Sequence, residues 1–261
     1  MRAPDGTAFA LHGPPGAPVV VLIHGLGLNR ALWRDTTPAL TRFRVLTYDL
    51  LGHGQTPSRG DRPTLADLTA QLAALMDYLK LPRAALVGFS MGGMVARAFA
   101  QTHPGRTAAL VLLNTPHTRS PQAQAAVQAR VDEAQTQGPA ATVEAALVRW
   151  FTDDWRAANP ERLDLVRQWV LANDPATYPL YYRIFAQDLP QVIAPMPPIT
   201  APTLVITGAE DHGNSPAMAQ AIAAEIPGAQ TLILPRLRHM ALFQAPEAVN
   251  TPLAAFLSGA A

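Results

Sequence analysis

The sequence predicts an α/β fold, with a mostly parallel central sheet flanked by helices and interrupted once by a helical insertion. Two observations carry this expectation. Short apolar, β-branched runs alternate with segments of helical periodicity up to residue 115 and again from residue 199. From about Pro116 to Pro198, by contrast, only helical signals occur.

Val19–Ile23 is continuous, apolar and β-branched, as a strand covered on both faces must be. Phe43–Tyr48, Ala84–Val87 and Leu110–Leu113 are further strand candidates. Between them Leu65, Leu68, Leu72, Leu75, Met76 and Leu79 recur at helical spacing, with Thr64 placed to cap the helix. Met91–Thr102 forms a second helix. The insertion holds four helical segments, Gln122–Gln137, Ala140–Phe151, Pro160–Ala172 and Ala176–Gln187, punctuated by Gly138-Pro139 and Asp174-Pro175. The proline-rich stretch Ala194–Pro198 returns the chain to strands at Thr203–Thr207 and Gln230–Leu234, and a last helix covers Pro246–Leu257. The expected organisation is therefore a core of residues 1–115 and 199–261 with an insertion of residues 116–198.

Composition narrows the function. Of 261 residues, 49% are hydrophobic and 15% charged, which suits a sizeable core. Twenty basic and 19 acidic residues, interspersed, leave a net charge of +1 and no electrostatic footprint for nucleic acid or an anionic membrane. There is no cysteine, which excludes disulfides, thiolate metal sites and a thiol nucleophile. Met1–Gly6 lacks the apolar stretch of a signal peptide, and no apolar run approaches the ~18 residues of a membrane helix. A soluble, cytoplasmic protein acting on a small molecule is the expectation.

The sharpest motif is Gly88-Phe89-Ser90-Met91-Gly92, between a strand and a helix. In such a turn a strained serine stands above the sheet, and side chains at 88 and 92 would strike neighbouring backbone. Serine needs a base, and where this turn operates the acid and then the base follow it in the chain. Asp211 lies just beyond one strand and His239 beyond the next, so Ser90, Asp211 and His239 stand in the required order. Glu210 is the competing acid. His53 precedes the serine, which disfavours it as base. Acyl transfer also needs donors for an oxyanion. The backbone N–H of Met91 and that of Leu26, in the glycine-rich loop His24-Gly25-Leu26-Gly27, are the candidates. No H-E-x-x-H motif or dinucleotide fingerprint is present, so no metal or cofactor is expected.

These residues resemble the α/β-hydrolase superfamily from Val19 to Leu257. The resemblance rests on His24-Gly25, Tyr48-Asp49, Gly52-His53-Gly54, the Ser90 turn, Asp211 and His239. It implies that the insertion is a helical cap over the active site. Within the superfamily the chain resembles most the 3-oxoadipate enol-lactonases and related carboxylesterases. Ser90–Met94, Leu112–Thr115 and Arg149–Thr152 carry that likeness.

The implied activity is hydrolysis of a small carboxylic ester or lactone through an acyl-enzyme, without a cofactor. Carbon–carbon bond hydrolases and cofactor-free perhydrolases use the same three residues, although Phe89 departs from the asparagine usual before the serine of the former. A non-catalytic ligand-binding protein on this fold is the reading of another class. His24, Gly25, Phe89, Trp150, Phe151, Trp155, Tyr181 and Tyr182 are the candidate substrate-contacting residues. A carboxylated lactone would further need a cationic anchor, for which Arg149 and Arg183 are available.

Overall fold

The computed structural model describes residues 1–260. Seven strands form one sheet: β1 (Phe9–His12), β2 (Val19–Ile23), β3 (Arg44–Tyr48), β4 (Ala84–Phe89), β5 (Thr107–Leu113), β6 (Thr203–Gly208) and β7 (Gln230–Leu234). Their order is β1-β3-β2-β4-β5-β6-β7. All neighbours pair parallel except β1, which runs antiparallel to β3. β3 and β4 lie on opposite sides of β2, so the strand order reverses there. In open α/β sheets that reversal opens a crevice at the carboxyl ends of the strands.

Alternation along the strands feeds two cores. Val21, Leu46, Leu86 and Leu110 face one side, where α1 (Leu65–Tyr78), α2 (Met91–Thr102) and α8 (Pro216–Glu225) cover them. Val20, Leu22, Val87 and Val111 face the other, packed with Trp33 and with Leu253 and Leu257 of α10 (Pro246–Ala260). Thr64 caps α1 through a reciprocal pair with Asp67, its own N–H donating to the carboxylate at 2.8 Å.

Five helices leave the sheet between β5 and β6: α3 (Pro121–Gln137), α4 (Ala140–Trp150), α5 (Asp153–Ala158), α6 (Pro160–Leu171) and α7 (Tyr178–Gln187). Val127 and Val131 of α3 pack on Tyr178 and Tyr182 of α7 in a cluster of their own. A one-turn helix, α9 (Ala241–Gln244), precedes α10. Among the described residues, no helix is long and apolar enough to cross a membrane.

Four of these strands and α-helices lie outside the sequence expectation, one of them the one-turn α9. β1 is a four-residue edge strand with only Phe9 buried, too short for a periodic signal. α5 has no buried residue, and α8 buries only Ala219 and Ile222. For α8 the signal lay in its cap, where Ser215 accepts the N–H of Met218 and Pro216 opens the helix.

Candidate active site

β4 ends at Phe89 and α2 begins at Met91, leaving Ser90 alone in the turn at φ 53° and ψ −117°. The turn is tight enough that a Cβ at Gly88 would lie 2.6 Å from the Gly93 Cα, and one at Gly92 would lie 2.5 Å from the His24 carbonyl oxygen. Glycine at both positions is therefore a steric requirement. The Ser90 N–H donates to the Leu113 carbonyl at 2.9 Å, and the Ser90 carbonyl accepts the Thr115 hydroxyl at 2.6 Å. These bonds hold the positive-φ residue that the local geometry disfavours.

The loops after β6 and β7 bring Asp211 and His239 to the same edge. His239 Nε2 lies 3.2 Å from Ser90 Oγ, and its Nδ1 lies 2.8 Å from Asp211 Oδ2. With the ring proton on Nδ1 facing the carboxylate, Nε2 is left free to accept the serine proton. Asp211 is buried and fully engaged. Its Oδ1 accepts the N–H groups of Gly213 and Asn214 at 3.0 and 2.9 Å, and its Oδ2 accepts the Asn114 side-chain amide at 2.9 Å. Burial alone would raise its pKa, but the charge and hydrogen bond of His239, with the bonds from Asn214 and Asn114, hold it below the ordinary carboxylate value. Glu210 is not part of this chain of bonds. Its side chain is 43% exposed, and its cationic neighbour is Arg238 at 3.9 Å.

Leu26 borders the space above Ser90. Among the described residues its N–H has no protein acceptor. Met91 is the first residue of α2, where no carbonyl of the helix can take its N–H. Both donors are thus available at the serine. His24 and Gly25, expected to touch substrate, do not border the cavity. His24 Nε2 accepts the Leu50 N–H at 2.9 Å, and its Nδ1 donates to the Gly25 carbonyl at 2.8 Å, so the ring is a neutral brace between two loops. A Cβ at Gly25 would lie 3.0 Å from that of Ser90, so glycine here permits close approach to the turn.

Ser90, Asp211 and His239 open onto a cavity of about 90 Å³, walled by the sheet edge on one side and by α3, α4, α6 and α7 on the other. Phe89 and Trp150 line it, with ring centres 5.0 and 6.0 Å from the His239 imidazole. Tyr182 lines it as well.

Phe151, Trp155 and Tyr181 do not, contrary to expectation. Phe151 stacks on Trp155 at 4.4 Å within the core, and the Trp155 indole donates to the Gln244 carbonyl at 3.1 Å. Tyr181 turns toward His53 and reaches the Ser58 hydroxyl at 3.0 Å. Arg149 lines the cavity, whereas Arg183 borders a separate surface cleft with Arg62 and Asp188.

A family model described as the alpha/beta hydrolase fold matches residues 18–246. The chain belongs to the α/β-hydrolase fold family. It is 34% identical over 230 residues, 87% of each chain, to the candidate carbamate hydrolase RutD of Stutzerimonas stutzeri. It is 32% identical to the protein of that name from Caulobacter vibrioides, over 98% of this chain and 97% of the other. Among solved structures it superposes on the enol-lactonase of Burkholderia xenovorans with a TM-score of 0.89 at 31% identity, covering 97% and 96% of the two chains. A thermophilic esterase from Thermogutta terrifontis gives 0.86 at 28% identity, covering 97% and 93%. The protein is thus a hydrolase of this family.

Several residues of this α/β-hydrolase site had no role assigned to them from the sequence. Asn114, at φ 47° after β5, supports Asp211 across 97 residues of chain. Arg119, just before α3, and Arg130 and Tyr178, on α3 and α7, border the cavity from the segment between β5 and β6. In sequence they are indistinguishable from surface arginines and a packing tyrosine, because only the approach of those helices to the sheet edge turns them inward.

Proposed function

We propose that the protein is a serine hydrolase acting on a small carboxylic ester or lactone through an acyl-enzyme. The observation that carries this reading is the continuous bond path from Ser90 Oγ through His239 to Asp211, opening on a cavity beneath the helices between β5 and β6. Ser90 Oγ attacks the carbonyl carbon while His239 Nε2 takes the hydroxyl proton. The N–H groups of Leu26 and Met91 receive the oxyanion as it forms. His239 then returns the proton to the departing alkoxide, whose bond to the carbonyl carbon breaks. In the second half-reaction His239 takes a proton from water, the hydroxyl attacks the acyl carbon, and Ser90 leaves reprotonated. Asp211 keeps the imidazole in the needed tautomer and balances its transient charge.

The cavity is far smaller than the several hundred Å³ of a drug-sized pocket, which favours a small acyl group. Residues 116–198 act as its cap. A carbamate is the second reading, favoured by the two RutD relatives, since its carbonyl is open to the same attack.

The test is labelling with a fluorophosphonate followed by a panel of p-nitrophenyl esters, lactones and carbamates. Ser90 is the residue expected to be modified. Ser90→Ala and His239→Ala should each abolish turnover in a folded protein, because the two act as one unit. Turnover that survives Ser90→Ala would overturn the reading.

A further inference from the structure

The turn that follows β2 decides where the Leu26 N–H points. In a planar trans peptide the C=O and the N–H point in opposite directions, so the direction of the Gly25 carbonyl sets that of the Leu26 N–H. The Gly25 carbonyl accepts His24 Nδ1–H at 2.8 Å and the Leu28 N–H at 3.3 Å, which closes a turn over residues 25–28 with Gly27 at φ 73°. Both donors belong to the same short stretch of chain. A further hold on the turn comes from far along the sequence.

The Gly27 carbonyl accepts the side-chain amide of Asn173 at 2.8 Å, across 146 residues. Asn173 is buried between the end of α6 and the start of α7, where Asp174-Pro175 breaks the helix. Tyr178, the first residue of α7, packs on the same glycine: a Cβ at Gly27 would lie 3.2 Å from its ring. Leu26 itself rests partly against the cluster that Tyr178 and Tyr182 form with α3. The turn that carries the oxyanion donor is therefore gripped from the segment between β5 and β6 as well as from the sheet.

Asn173 Nδ2 also lies 3.0 and 2.8 Å from the Trp169 and Val170 carbonyls, in the last turn of α6. Those two bonds alone would occupy both amide hydrogens. The Gly27 carbonyl shares them, so its bond competes with closure of the helix and is not a by-product of it. With three carbonyl oxygens gathered round it, this corner of the amide must be the NH2 group, and Oδ1 has no donor among the described residues. A buried oxygen left unpaired is uncommon, and here it accompanies the orientation that holds Gly27.

We infer that Asn173 is a positioning residue for the oxyanion donor: by fixing the Gly27 carbonyl it holds the turn in the shape that aims the Leu26 N–H at the carbonyl oxygen of the substrate. The oxyanion site is then complete only while the connection between α6 and α7 is docked on the turn. This assignment rests on the serine-hydrolase reading.

Two variants test it. Asn173→Ala removes the amide, and Asn173→Ser supplies a hydroxyl that can bond back to its own helix but is too short to serve Gly27. Removing an oxyanion donor outright costs about 10²–10³ in kcat, and a misaimed donor forfeits part of that. Each variant should lose at least about tenfold in kcat on p-nitrophenyl butanoate while KM stays within about twofold. The decisive readout is inhibition by 1,1,1-trifluoro-2-butanone. Ser90 Oγ adds to its carbonyl carbon, His239 takes the serine proton, and the carbonyl oxygen becomes an oxyanion held at the same N–H groups. The inhibition constant should rise by the factor by which kcat falls. Loss of α6 closure alone would lower the thermal midpoint and leave that constant in place.

Wild-type kcat and inhibition constant in both folded variants would overturn the assignment, as would a fall in kcat with an unchanged inhibition constant. A wild-type protein that neither hydrolyses the ester nor reacts with a fluorophosphonate would instead overturn the hydrolase reading, and the assignment with it.

Discussion

The N–H of Met240 donates to the carbonyl of Trp150 at 3.0 Å, joining the loop that carries His239 to the last turn of α4. Arg238, on the other flank of His239, closes the same helix end. It donates to the Val148 and Phe151 carbonyls at 3.0 and 2.8 Å and to the Asp153 carboxylate at 3.0 Å. Carbonyls that a helix terminus leaves unpaired are thus satisfied by residues bracketing the imidazole. The helix that bears Trp150 and Arg149 is mechanically coupled to His239.

Removing that coupling should loosen the imidazole. Arg238→Met deletes the single nitrogen, Nη1, that makes all three contacts and leaves the partly buried Phe151 carbonyl without it, at about 1–3 kcal/mol. The expected result is a loss of about tenfold in kcat, a smaller change in KM and a lower thermal midpoint. Wild-type kcat together with an unaltered midpoint would show that Arg238 does not position the loop.

Asn114→Ala should act through Asp211. Without the 2.9 Å bond from Asn114 Nδ2, the carboxylate loses one of the partners that hold its pKa down. Its pKa should rise toward the ordinary value, and the acid limb of the kcat profile should move to higher pH. A uniform fall in rate with no displacement of that limb would assign Asn114 to packing alone.

Trp150 and Trp155 should separate cleanly. Trp150 borders the cavity beside His239, so Trp150→Leu should change the ratio of kcat/KM between short and long acyl esters by about 1–3 kcal/mol. Trp155 lies outside the cavity wall, stacked on Phe151, and Trp155→Leu should lower the thermal midpoint while leaving that ratio in place. If Trp155 altered discrimination as strongly as Trp150, the cavity wall would have to be redrawn.

His24 and His53 should make folding stability pH-dependent. Burial lowers their pKa values to about 4 and about 3, well under the ~6.5 of a free histidine. The unfolded chain therefore takes up protons below pH ~6.5 that the folded chain refuses, so stability is complete above that value. It should fall on acidification until pH approaches the folded values. Each ring contributes a limiting slope of about 1.4 kcal/mol per pH unit. The depressed Asp211 acts only below the ordinary carboxylate range, which leaves the window from about pH 5 to 6 to histidines. Urea unfolding at a series of pH values would measure this. A flat profile across that window would contradict the buried, neutral assignment.

Much of this molecule is legible along the chain because its causes are local. Val19–Ile23 and Thr203–Thr207 are strands because continuous apolar runs must be covered on both faces. Gly88 and Gly92 mark the serine turn because a Cβ at either strikes backbone within the same few residues or in the adjoining strand. The order of Ser90, Asp211 and His239 follows from strands that end on one edge of a parallel sheet. What lines the cavity is not local in this sense. α4 ends at Trp150 and the chain turns to extended backbone at Phe151, φ −127° and ψ 145°, so Trp150 reaches the cavity while Phe151, its neighbour, is buried in the core. Arg149 and Arg183 are alike as residues, and only the packing of α4 and α7 on the sheet turns one toward the serine and the other toward a surface cleft. Asn114 meets Asp211 across 97 residues and Arg130 meets Tyr182 across 52. Contacts at such separations are products of how the layers pack, which no periodicity within one segment encodes.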